Sequence, residues 1–185
     1  VEVAHVSLPE TVDGIRREIE SLEQRLRALH RAVEPDVPLP ESIEILHCVA
    51  GATHVGVPIE NVERVVGIAR LSPANDAQPW LRGLLDIRGE MIPVIDVGMR
   101  VGQPARVVEL GDLIVICTLR GARIGLWIAA VLGVTQIQTA KLDRTVTELM
   151  DAPYLHGVTV VNDHATYLLR NEGLLDVVGP RATEG

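Results

Sequence analysis

The chain has 185 residues, with 17 Lys and Arg against 25 Asp and Glu, a formal net charge of −8. That balance argues against a nucleic-acid binder, which needs clustered cations to displace phosphate counterions, and against a polybasic membrane-surface anchor. Hydrophobic residues make up 47% but aromatic ones only 2%, with no Phe. The core must therefore be aliphatic, and Val and Ile pack best on a pleated β surface.

In chain order, Ser7 with Glu10 reads as a capping box ahead of Val12, Ile15, Ile19, Leu22, Leu26, Leu29 and Val33. These apolar positions step by three and four, which predicts an amphipathic helix with a heptad seam over 1–33. Two readings stay open for it: a short coiled coil that makes a homodimer, or a helix packed on the domain that follows. Residues 34–42, EPDVPLPES, carry three prolines. They block the helix and predict a stiff linker at a domain boundary.

From residue 43 to 179 the pattern is mainly β. Short Val- and Ile-rich runs alternate with Gly and Pro. The predicted strands are 43–49, 54–58, 62–68, 84–88, 91–96, 113–119, 123–128, 131–137, 158–161 and 166–169. The more polar stretch 140–150 holds a helical turn or a loop. Cys48 and Cys117 sit inside apolar runs and read as buried thiols of a reducing cytoplasm, not as a disulfide. No apolar run approaches the roughly 20 residues of a membrane helix, and no signal peptide is evident. A cytoplasmic location without membrane insertion is expected.

The β region repeats. HVGVPIENVERVVGI from His54 aligns with RIGLWIAAVLGVTQI from Arg123, so that Gly56 falls on Gly125 and Val62 on Val131. GLLDIRGEMIPVID from Gly83 aligns with GVTVVNDHATYLLR from Gly157. Each copy has five strands, enough to close a small barrel without exposed edges. The expected division is barrel one over 43–98, barrel two over 112–170, and a C-terminal segment 171–179. Gly51 and Gly121 supply hairpin turns, and Trp80 covers one end of the first barrel. Trp127 reads as barrel packing.

The segment Gly83–Val97, GLLDIRGEMIPVIDV, resembles the signature of CheW-like domains, and so does the duplicated layout over about 43–178. The resemblance implies two SH3-like five-stranded barrels and no catalytic activity. It implies a chemotaxis adaptor that couples the helical cytoplasmic tip of a chemoreceptor to the regulatory domain of a CheA-like histidine kinase. Carried over by position, Leu84, Ile87 and Arg88 belong to the receptor side, and Val62, Arg64 and Val65 to the kinase side. Gly56, Gly83, Gly89, Pro93 and Asp96 fall on structural turns of the pattern. One departure matters: the family often places an acid where Arg64 stands, and that acid can pair with the arginine at Arg88. Glu63 stands one residue earlier and points to the other face of a regular strand. If Arg64 and Arg88 face each other, Asp86 or Glu90 is the expected counter-charge.

Enzymatic readings find no support. There is no phosphate loop or nucleophile elbow. His47 and Cys48 are strand neighbours and point apart. His5, His30, His47, His54, His156 and His164 show no metal spacing, and most read as solvated or turn residues. No cofactor or metal is expected. The rival readings are an oligomerisation module set by the heptad helix and a CheW-like piece of a larger signalling protein.

Overall fold

A computed structural model describes residues 39–74, 78–119, 121–149, 152–170 and 174. The expected N-terminal helix and its dimer lie outside these residues, as does the segment 171–179 apart from buried Leu174.

Ten strands form, each overlapping a predicted one. They are β1 (Ser42–Ala50), β2 (Thr53–Pro58), β3 (Val62–Gly67), β4 (Leu81–Ile87), β5 (Glu90–Asp96), β6 (Leu113–Leu119), β7 (Ala122–Ile128), β8 (Ala130–Gln138), β9 (Leu155–Val161) and β10 (His164–Leu169). Among the described residues the short helices are α1 (Val97–Arg100) and α2 (Thr145–Leu149). Single 3-10 turns follow β2 and β8, so the stretch 140–150 contains helical turns.

The strands build two mixed five-stranded sheets, but not along the expected division. The first sheet runs β8-β1-β2-β10-β9 and the second β3-β6-β7-β5-β4. Each therefore takes two strands from one repeat and three from the other, which corrects the contiguous barrels 43–98 and 112–170. The cause lies in two connections. A hairpin needs a short turn with positive φ. Pro58 instead leads into the 3-10 turn Ile59–Asn61, and only Ala129 separates β7 from β8. Neither link folds back, so β3 and β8 cross to the neighbouring sheet.

The repeat itself holds in register. β1 pairs with β2 through Ile45↔Pro58, as β6 pairs with β7 through Ile114↔Trp127. Both crossing strands carry a bulge at the same place, skipping Glu63 in β3 and Leu132 in β8. Both sheets are closed by one two-bond bridge: Ser72 with Leu84, and Asp143 with Val158, at 2.8–2.9 Å. Gly83 (φ 142°) and Gly157 (φ 151°) permit this closure. A Cβ at either would stand 2.5 Å from the Ser72 carbonyl oxygen or 2.7 Å from that of Asp143. Closed five-stranded sheets agree with the SH3-like barrels of the expected fold.

The core is aliphatic. Leu46, Cys48, Val55 and Val57 of the first sheet meet Ile95, Val115, Cys117, Ile124 and Leu126 of the second. Smaller clusters fill each sheet's interior, around Ile45 and Leu168 in the first and around Ile92, Ile114 and Trp127 in the second. Cys48 and Cys117 are buried and free, and burial pushes both thiols up to about 12. They are inert packing groups.

Candidate docking surfaces

The β4–β5 hairpin turns on Arg88 and Gly89, both at positive φ (57° and 88°). Asp86 Oδ1 accepts the Gly89 N–H at 2.7 Å and fixes the turn. The corresponding β9–β10 turn uses Asn162 and Asp163 at φ 48° and 64°, residue types that tolerate this region. Arginine does not share that tolerance. Its guanidinium is exposed and forms no ion pair or hydrogen bond with any described residue. Leu84 is half-buried, and its backbone is used by the bridge to Ser72. Ile87 packs into the second sheet's interior. Of the expected receptor-side residues, Leu84 and Arg88 thus face outward, while Ile87 serves the core.

On β3, Val62 leans on the central core. Past the bulge, Arg64 is exposed and Val65 is 39% exposed. The bulge brings Val62 and Val65, an odd number of residues apart, to the same face, opposite Cys117 and Val115 of β6. Glu63 finds a partner that the sequence reading missed. Arg123 of β7 donates to Glu63 Oε1 at 2.6 Å and to Glu90 Oε2 at 2.8 Å. With Glu90 held by Arg123 and Asp86 by the turn, neither serves as the expected counter-charge of Arg88.

The remaining turn residues divide. Gly89 is in a turn. Gly56 lies inside β2 instead, where a Cβ would come 2.6 Å from Ile45 Cδ1. Gly83 stands at a bulge in β4. Pro93 is inside β5, opposite Leu84. Leu84 spends its N–H and C=O on Ser72, so the Leu84–Pro93 pair is a non-hydrogen-bonded one. The missing donor of Pro93 falls instead where the ladder with β7 begins. Asp96 caps α1, its Oδ1 accepting from the Met99 N–H at 3.1 Å. Its Oδ2 is buried without a partner, and burial raises its pKa.

Two further arginine clusters hold this region. Trp127 is buried and donates its indole N–H to Asp112 Oδ2 at 3.0 Å, with Arg82 and Arg106 each 4.5 Å from its ring. Arg106 also binds Asp112 at 2.8 Å. Burial alone would raise the Asp112 pKa, but the hydrogen bonds from Arg106, the Glu109 N–H and Trp127 outweigh it and hold the carboxyl below the usual range. Trp80 packs on the core shared by both sheets, not on one barrel alone. Arg100 lies between it and Tyr154, at 5.0 and 4.0 Å.

Among the described residues no group of three His, Cys, Asp or Glu is placed to hold a metal ion, and no helix is long and apolar enough to cross a membrane. His47, His54 and His164 nevertheless cluster, which corrects their reading as separate solvated residues. The His47 and His54 ring nitrogens are 3.0 Å apart.

What these surfaces share is exposed charged and aliphatic side chains on β3 and on the β4–β5 hairpin. The sequence profile of the CheW-like domain matches residues 44–178, which take in both sheets except the first two residues of β1. The chain belongs to the CheW-like domain family, whose members are non-enzymatic adaptors of chemotaxis signalling. It is 26% identical over 148 residues to a chemotaxis protein CheW of Treponema pallidum (strain Nichols), spanning 76% of this chain and 85% of that one. Its fold is similar to that of the scaffolding protein CheW of Thermoanaerobacter tengcongensis. The TM-score is 0.62 at 22% identity, over 74% of this chain and 90% of the other.

Proposed function

We propose that this protein is a cytoplasmic coupling adaptor that binds the helical tip of a chemoreceptor and the regulatory domain of a CheA-like histidine kinase. The observation that carries the reading is Arg88. The matching turn of the other sheet uses Asn162 and Asp163, yet here a long cation, without an ion pair to any described residue, occupies the left-handed region. Strain of this kind persists where a side chain is needed for something besides the fold. Arg88 with Leu84 forms the receptor side. Arg64 and Val65, exposed on β3 beside the half-buried Val62, form the kinase side. The cation at Arg64 favours an acidic residue on the kinase, where the family pattern has the opposite sign.

Titration calorimetry of the folded chain with each partner separates the two sides. Arg88→Ala is expected to weaken receptor-tip binding and spare the kinase domain, and Val65→Glu to do the reverse. Absence of binding by the unaltered, folded protein to either partner rejects the proposal.

A further inference from the structure

The correspondence between the two sheets makes their differences informative. In the second sheet, Ile116, Arg123 and Glu90 form an aliphatic floor beneath an ion pair. The repeat puts His47, His54 and His164 at those places in the first sheet, and Thr159 and Thr166 where the second has Leu85 and Ile92. Both threonines and His47 are buried. His47 Nε2 lies 3.0 Å from His54 Nδ1, and the His54 ring stacks on His164 with centroids 4.0 Å apart and planes 7° from parallel.

Three imidazoles in this arrangement cannot all be charged. A hydrogen bond between ring nitrogens needs one acceptor, and an imidazolium has none. Stacked cations repel, and burial disfavours charge on His47 and His54. Burial, then His54 and His164, hold the His47 pKa below its ordinary value; burial, then His164, does the same for His54. Among the described residues no carboxylate pairs with these rings. On β1, Glu44 alternates to the other face from His47. β8 places Gly133 opposite His47. On β9, Thr159 and Val161 point inward, while His156 alternates outward. Asp163, in the turn before β10, forms no ion pair with His164.

The parallel ladder between β10 and β2 has three residue pairs, from Thr166↔His54 to Leu168↔Gly56. His164 lies beyond its end. The ring stack therefore continues the contact between β2 and the tip of the β9–β10 hairpin.

We propose that His47, His54 and His164 form a proton-operated latch: uncharged rings hold the β9–β10 hairpin tip against β2, and uptake of a second proton releases it. The inference is independent of which partners the protein couples. The unfolded chain takes up these protons near about pH 6.5, and the folded cluster resists them. The latch is therefore at full strength above that pH and weakens as pH falls below it.

The test is an NMR titration of the full chain from about pH 8 to about pH 5, the range in which histidine changes charge, with melting temperature followed in parallel. The His47 and His54 ring signals are expected to titrate below the ordinary histidine midpoint, in coupled steps. Amide signals of residues 162–166 should move with them, and the melting temperature should fall by about 3 °C for each pKa unit of depression. The double variant His54→Arg with His164→Glu installs the second sheet's ion pair and should abolish both changes. Independent titration at ordinary midpoints, a motionless hairpin, or the same response in the double variant overturns the latch. Should that variant fail to fold, His164→Gln at the exposed tip must alter the His54 titration, and an unchanged curve overturns it equally.

Discussion

Arg123 meets Glu63 at 2.6 Å although they stand on β7 and β3, with β6 between them. The bulge in β3 lets Glu63 reach across its neighbour, and Glu90 completes the bridge from β5. Three strands of the second sheet are tied by these exposed ion pairs.

Arg123→Ala should leave the fold intact, since exposed ion pairs are weak. Its small effect on the urea midpoint should be visible at low ionic strength. It should vanish near 1 M salt, where the screening length shrinks to about 3 Å. An effect of equal size at both salt concentrations contradicts the ion-pair account.

Arg88→Asn should separate stability from binding. Asparagine accepts the left-handed turn more readily, so the hairpin should gain up to about 1 kcal/mol, while receptor-tip affinity falls. Denaturant melts and calorimetry on the same variant check both halves. A variant that binds as well as the parent removes Arg88 from the docking surface.

Gly83→Ala and Gly157→Ala should each open one sheet. The added Cβ meets a carbonyl oxygen that the closing bridge requires, and a loss of about 2–4 kcal/mol is expected for such a backbone clash. Hydrogen exchange locates the damage. Gly83→Ala should unprotect the Ser72 and Leu84 amides, and Gly157→Ala those of Asp143 and Val158.

The two buried aspartates should respond oppositely to loss of charge. Asp112→Asn deprives Arg106 and Trp127 of their shared carboxylate and should cost about 3 kcal/mol. Because its folded pKa is lowered, its stabilisation is present above the ordinary carboxylate pKa and is lost as pH falls toward the folded value. Asp96 is raised by burial, so ionising it opposes folding. Asp96→Asn keeps a capping acceptor and should hold or raise stability at neutral pH. Paired urea melts at about pH 7 decide both.

The strands were legible because Val and Ile runs between Gly and Pro leave few alternatives to a pleated surface, and the repeat was legible because Gly56 and Gly125 occupy one steric niche. Sheet membership was not. Hairpin reasoning assumes that neighbours pair, and the sign that they do not lay in the missing turn chemistry at Ile59–Asn61 and Ala129. Arg88 was found through its motif. Arg123 and the His47–His54–His164 cluster were missed because their partners are distant in sequence and meet only once the sheets close.

The exchange of β3 and β8 means that neither half of the polypeptide contains a complete sheet. One repeat alone would expose strand edges that only a second copy could cover, so the architecture has the form of a swapped dimer fused into a single chain. A cut between α1 and β6 should accordingly yield two fragments that stay unstructured apart and assemble into the native fold when mixed.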